Sequence, residues 1–130
     1  KCYPAFELIE DRDADYDQLN PFDSVSENAW NAGVVLGSPF VSWQDLDLVN
    51  TPTVLEVKGE VLGSGQTGDA LGHPFEAVAW LANHLNGRGR SLRAGEFVMT
   101  GSTVITYFPQ VADQVKFSVG GHGSVELTCS

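Results

Sequence analysis

Positive charge is scarce in this sequence. Its 130 residues carry 7 Lys and Arg against 17 Asp and Glu, a formal net charge of −10. Contacts to phosphate need clustered basic side chains, so nucleic acid is excluded as a partner. Long apolar runs are also lacking. No stretch approaches the roughly 18 residues that a membrane-crossing helix needs, and no membrane role is expected. Only two cysteines occur, Cys2 and Cys129, near opposite ends of the chain. One pair makes no disulfide framework, and neither Cys has metal-ligand spacing with the three His. The expectation is free thiols in a cytoplasmic protein. There is no internal repeat and no low-complexity tract. The chain opens at Lys1 rather than Met, with no charged-then-apolar leader, and sequence upstream of Lys1 is expected.

What is present is ordinary for a globular chain: 42% hydrophobic residues and a mean hydropathy of −0.08. The length predicts a single domain over residues 1–130 with a core of its own. Residues 4–9 read as a strand, with Phe6 and Leu8 on one face and Ala5, Glu7 and Ile9 on the other. Residues 11–21 read as an acidic loop. Residues 32–36 form a short apolar strand closed by Gly37-Ser38-Pro39. Residues 54–62 alternate and turn at Lys58-Gly59-Glu60, and residues 63–72 read as a Gly-rich loop. One helix is predicted over residues 73–86. Pro74 suits its first position and Glu76 its positive end, and Gly87 is a natural stop. Its apolar stripe is Phe75, Val78, Ala79, Ala82 and Leu85. Further strands are predicted at residues 97–99, 104–108, 115–119 and 125–128, with a hairpin turn at 120–123. The whole is a β-rich α+β chain, a rolled sheet or barrel with one packed helix.

Several residues are candidates for chemistry. Glu7 lies in an apolar strand, and a carboxylate on an inward face is costly unless paired or bound to a cation. The alternatives are an outward face or an ion pair with Arg12. Residues 23–33 cluster Asp23, Ser24, Ser26, Glu27, Asn28 and Asn31 around Trp30 just before a strand. Such a loop can present polar groups, or it can be a helical turn with a local cap. Residues 63–68 lack the Lys and spacing of a phosphate loop. His73, ahead of Pro74, reads as structural. Thr100-Gly101-Ser102 offers two hydroxyls beside a glycine that lets backbone approach a ligand. No Ser/His/Asp or Cys/His spacing is recognisable.

In order, these pieces resemble a known family. Pro4-Ala5-Phe6-Glu7-Leu8-Ile9-Glu10-Asp11-Arg12 and Glu27-Asn28-Ala29-Trp30-Asn31-Ala32-Gly33-Val34-Val35-Leu36-Gly37 resemble the middle of 2-keto-4-pentenoate hydratases. Leu71-Gly72-His73-Pro74, Trp80-Leu81-Ala82, Leu92-Arg93-Ala94-Gly95-Glu96 and Met99-Thr100-Gly101-Ser102 resemble their C-terminal half. These hydratases are a branch of the fumarylacetoacetate hydrolase superfamily, and the likeness covers essentially the whole chain.

The resemblance implies a mixed β-roll of the fumarylacetoacetate hydrolase C-terminal type. It also implies Mg²⁺ or Mn²⁺ held by three carboxylates, two from an E-x-E motif and the third at Glu7. The implied activity is hydration of 2-hydroxypenta-2,4-dienoate to 4-hydroxy-2-oxopentanoate, in aromatic catabolism. Decarboxylation of 4-oxalocrotonate and cleavage of acylpyruvates are the alternatives, as is a non-catalytic or ligand-binding role. The common partner is a small 2-oxo acid. Asn28, Thr100, Gly101 and Ser102 are the implied substrate-binding residues, and Glu27 or Asp23 the base. Glu27-Asn28 stands where the family usually has Asp-Asn. The E-x-E pair would precede Lys1, and Glu56-Val57-Lys58 and Glu60, which follow Glu7 in another strand, do not replace it. The basic groups of the family's N-terminal half are absent too. Poor metal binding by this chain alone is therefore expected. Apolar surface at Val34, Val35 and residues 104–108 predicts a homo-oligomer or association with the absent N-terminal half.

Overall fold

A computed structural model describes residues 1–130. The elements run β1 (Ala5–Ile9), α1 (Pro21–Ser26), β2 (Asn31–Leu36), β3 (Pro52–Val57), β4 (Glu60–Gln66), α2 (Pro74–Asn86), β5 (Gln114–Val119) and β6 (Gly123–Thr128), with 3₁₀ turns at Asn28–Trp30, Trp43–Asp45 and Thr67–Asp69. β1 and β2 pair antiparallel; β4-β3-β5-β6 form a second, antiparallel sheet. The expected β-rich α+β class with one main helix is what the chain adopts.

Alternation along β3 divides the larger sheet into two unlike faces. Register puts Thr53, Leu55 and Val57 beside Val119, Phe117 and Val115 of β5, which in turn face Gly123, Val125 and Leu127 of β6. This is the core face: Leu55, Val115, Val119 and Val125 are all buried. Phe6 of β1 meets Phe117 across it, ring centroids 6.3 Å apart. The opposite face is polar, with Glu56, Lys116 and Glu126 in one cross-strand row. The β3–β4 turn is Lys58-Gly59, both at positive φ (50° and 82°), the two-residue geometry that matches strand twist.

Three expectations need correction. The Gly-rich stretch is not a loop from residue 63 onward: Gly63 to Gln66 complete β4. Its glycines serve close packing, since a Cβ at Gly65 would run into the carbonyl oxygen of Thr103 and one at Gly63 would touch Ile105. Residues 97–99 and 104–108 are not strands, because no ladder forms there. Residues 97–109 make no backbone–backbone hydrogen bond at all, and run instead as a strap past β4 and α2. The inward side of α2 is Ala77, Val78, Leu81, Ala82 and Leu85, whereas Phe75 and Ala79 of the expected stripe are exposed.

The end of the strap is fixed by one carboxylate. Asp113 is 2% exposed. It accepts from Tyr107 Oη at 2.5 Å and from the Gln110 N–H at 2.7 Å, and pairs with Lys58 Nζ at 2.6 Å. Lys58 first, then Tyr107 and the Gln110 amide, hold its carboxyl down to about 2, and the same bond raises the Tyr107 hydroxyl above its ordinary value. Beyond this, burial is sparse. Ten of 130 residues are buried, and Phe97, Ile105, Phe108, Val111, Leu71 and Trp80 are each at least 60% exposed, so much of the apolar surface lies outside any core.

Because Asp113 falls from an ordinary 3.8 to about 2 on folding, its stabilisation is complete above about pH 4 and is lost as pH falls from there toward 2. Asp113→Asn is expected to lower Tm by several degrees at pH 7 and to flatten the Tm profile across that acid window. Thermal denaturation followed by circular dichroism checks this; parallel profiles for the two proteins would refute it.

Candidate functional site

Glu7 sits mid-strand in β1, opposite Val34 of β2. A register shift between Leu8 and Ile9 brings Asn31 opposite Ile9. Asn31 Nδ2 then donates to Glu7 Oε1 at 2.8 Å, and the other carboxylate oxygen has no protein partner. Glu7 is exposed, so in this chain the face it shares with Ala5 and Ile9 points outward. Apart from Asn31, that face is apolar. Ile9 is 54% and Leu36 43% exposed around the one carboxylate, an unusual composition for a surface meant only for water.

The predicted alternative, an ion pair of Glu7 with Arg12, does not form. Arg12 Nη1 pairs with Glu27 Oε2 instead. This contact helps fold the acidic loop back toward Trp30. Tyr16 packs edge-on to Trp30 at 5.7 Å, its hydroxyl donates to Asp11 Oδ2 at 2.6 Å, and the Glu10 N–H donates to the Trp30 carbonyl at 3.0 Å. The Asp11 bond raises the Tyr16 hydroxyl above its usual value. Within the loop, Asp11 and Asp15 accept from the amides of Asp13 and Asp17, local turns that account for the spaced aspartates.

Between Glu27 and Asn31 the backbone is strained. Asn28, Ala29 and Trp30 have φ of 53°, 49° and 59°. Left-handed backbone costs an L-residue about 1–2 kcal/mol each, so a run of three persists only where contacts over-determine it. Tyr16 on Trp30 and Arg12 on Glu27 supply two of them. Asp23 acts locally, in a reciprocal capping box at the start of α1. Asn20 accepts there from the Phe22 N–H, while Asp23 Oδ2 accepts from the Asn20 N–H at 3.1 Å and from its side-chain amide.

Thr100 and Gly101 lie elsewhere, on a groove of ≈ 600 Å³ between α2 and the strap, walled by Leu71, Glu76, Trp80 and Met99. Gly101 has φ 119°, and a Cβ there would meet Ala70 at 3.0 Å. Ser102 Oγ donates to the Val104 carbonyl at 2.6 Å and so is engaged by its own strap. No hydrogen bond or ion pair joins this group to Glu7 and Asn31, and no three Asp, Glu, His or Cys side chains gather anywhere in a metal-binding cluster. His73 is structural: its Nδ1 accepts from the Phe75 N–H at 3.1 Å, capping α2.

Sequence reasoning does not single out Asn31 as Glu7's partner, nor Tyr16 as the support of Trp30. An Asn opening an apolar strand is the available signal for the first.

The family model for the fumarylacetoacetate hydrolase C-terminal domain matches residues 3–129. The chain is 38% identical over 124 residues to a 2-keto-4-pentenoate hydratase from Burkholderia vietnamiensis, covering 95% of this chain and 47% of that protein. It is 33% identical over 122 residues to a 4-oxalocrotonate decarboxylase from Pseudomonas putida, covering 94% and 46%. The solved Pseudomonas putida G7 4-oxalocrotonate decarboxylase, complexed with magnesium and adipate, superposes with a TM-score of 0.88 at 32% identity, covering 98% of this chain and 48% of that one. The chain thus spans about half the length of these relatives.

Glycine at the strained turn has no Cβ to clash. Ala29→Gly is therefore expected to gain about 0.5–1 kcal/mol, the left-handed penalty relieved less the extra freedom given to the unfolded chain. The urea midpoint reads this, and a fall in midpoint would show that the turn is unstrained.

Proposed function

The chain belongs to the fumarylacetoacetate hydrolase family, and from that premise we propose that it is the C-terminal part of a 2-keto-4-pentenoate hydratase-like enzyme acting on small 2-oxo acids. The observation that carries the site is Glu7. One of its oxygens is held by Asn31 and the other is free, on an outward face of Ile9, Val34 and Leu36.

The donor set of this chain does not by itself fit a divalent ion. Octahedral Mg²⁺ takes oxygen ligands, usually from more than one side chain together with water. In this reading Glu7 is one ligand, and the others come from outside these 130 residues. The magnesium and calcium complexes of the solved decarboxylase support a divalent ion over none.

The remaining residues have roles that need no metal to state. Thr100 Oγ, the Gly101 N–H and the Asn28 carboxamide are donors suited to a substrate carboxylate; Ser102 joins them if its hydroxyl leaves the Val104 carbonyl. Hydration of a 2-hydroxy-2,4-dienoate requires the enol proton to leave O2 and a proton to reach C5, giving a conjugated enone. Water then adds its hydroxyl at C4 and a proton at C3. A carboxylate near that path moves these protons. Glu27 is preferred to Asp23, whose carboxylate is committed to the cap of α1. Arg12 pairs with Glu27 and holds its carboxylate beside the Trp30 turn. Decarboxylation is the second reading, favoured by the TM-score of 0.88 to a solved decarboxylase.

The assembled enzyme with Mg²⁺ is expected to convert 2-hydroxypenta-2,4-dienoate to 4-hydroxy-2-oxopentanoate, with Glu27→Gln lowering kcat roughly 10²–10⁴-fold. Proton NMR of the products decides. Loss of carbon dioxide from 4-oxalocrotonate without hydration would favour the second reading. No turnover of either acid would leave only a binding role.

A further inference from the structure

Glu76 stands where a helix usually turns a carboxylate to its own use. It is the third residue of α2, the position from which an acidic side chain reaches back to the capping residue. The chain makes that contact twice elsewhere: Asp23 closes a reciprocal box on Asn20, and Asp69 closes one on Gln66. At α2 the cap is the His73 ring alone. The Glu76 carboxylate enters none of the chain's capping contacts or ion pairs, and Glu76 instead lines the groove between α2 and the strap.

That groove is apolar apart from three residues. Leu71, Leu81, Met99 and Trp80 wall it, and Trp80 is held in place by stacking on His84, ring centroids 4.8 Å apart. Thr100 and Gly101 form part of the strap wall, and the Gly101 N–H donates to no backbone acceptor of the chain. Glu76, on the α2 wall, is the one charged residue, and no basic group lines the groove. Its volume of ≈ 600 Å³ is that of a small-molecule pocket.

These groups set what an acid lying in the groove can carry. One carboxylate is met by the Thr100 and Gly101 donors, and its carbon chain by Trp80 and Met99. A second carboxylate has no compensating cation and meets Glu76, a like charge whose repulsion across a few ångströms is worth roughly tenfold or more in affinity. A hydroxyl at the far end is a donor and suits Glu76.

We propose that Glu76 is a specificity residue: the groove accepts 2-oxo acids with a single carboxylate and an uncharged or hydroxyl-bearing far end, and rejects dicarboxylates. The inference rests on the 2-oxo acid reading above and discriminates between its two reactions. The 4-hydroxy-2-oxopentanoate of a hydratase has one carboxylate, whereas 4-oxalocrotonate has two.

The test titrates the 130-residue protein, without metal, with two unreactive acids of equal length, 2-oxohexanoate and 2-oxoadipate. ¹H–¹⁵N spectra read the Trp80 indole and the Gly101 amide. The monoacid is expected to shift both saturably and to bind at least roughly tenfold more tightly than the diacid. Glu76→Gln, at an exposed position where circular dichroism reports an unchanged fold, is expected to bring the two within about twofold by strengthening the diacid. Equal binding of both acids to the unaltered chain overturns the proposal. So does a preference that survives Glu76→Gln, or the absence of shifts in the groove with either acid. Groove selectivity in a protein whose assembled form hydrates no dienoate would refute the catalytic reading and leave this one standing; hydration without the selectivity would do the reverse.

Discussion

A single buried carboxylate ties the end of the strap to the β3–β4 turn. Asp113 receives Lys58 from the β3–β4 turn and Tyr107 and Gln110 from the strap, and its own carbonyl accepts the Cys129 N–H beyond β6. Three stretches meet there: the β3–β4 turn, residues 107–113 and the end of the chain after β6. Since residues 97–109 form no backbone ladder, the Tyr107 bond is what ties down the far end of that segment. Buried charge is tolerated only when its partners are complete, and here Lys58 comes from a distant turn while Tyr107 and Gln110 come from the residues just before Asp113. The contact therefore specifies arrangement as well as stability.

The β1–β2 sheet is built differently. On the β1–β2 face a half-satisfied carboxylate stands among exposed aliphatic side chains, next to a turn whose left-handed backbone is held by Tyr16, Trp30, Arg12 and Glu27. Strain, an unfinished carboxylate and uncovered apolar area coincide. Each is costly in a surface meant only for water, and together they make sense as one wall of a site. The proposed chemistry draws on both regions: Glu7 for a cation and Glu27 for protons on this face, and the donors of the separate Thr100 turn for a substrate carboxylate.

Much of this is legible in the sequence wherever local pattern and burial agree. The alternation of residues 54–57 and 115–119, the Pro74 start of α2 and the turn at residues 120–123 encode their elements directly, and the ordered motifs from Pro4 to Ser102 carry the family. Gly63 and Gly65 mislead because glycine also serves close approach, here of Thr103 to β4, a tertiary fact with no local signature. The strand pattern at residues 97–108 is a correct reading of propensity but not of pairing, since a strand needs a neighbour and this chain provides none. The outward direction of Glu7 is undecidable from alternation, which separates two faces without saying which is inside. Asp113, the most consequential charge, looks like any loop aspartate, because Lys58, its charged partner, is brought to it only by the fold.

The central claim is that Glu7 is one pole of a divalent-cation site. Paramagnetic broadening by Mn²⁺ in ¹H–¹⁵N spectra of the 130-residue chain tests it without needing tight binding or turnover. The account predicts that the Asn31 side-chain amide and the backbone amides around Glu7 broaden first, and that Glu7→Gln removes the effect. Broadening centred on residues 11–17 and unchanged by that substitution would contradict it.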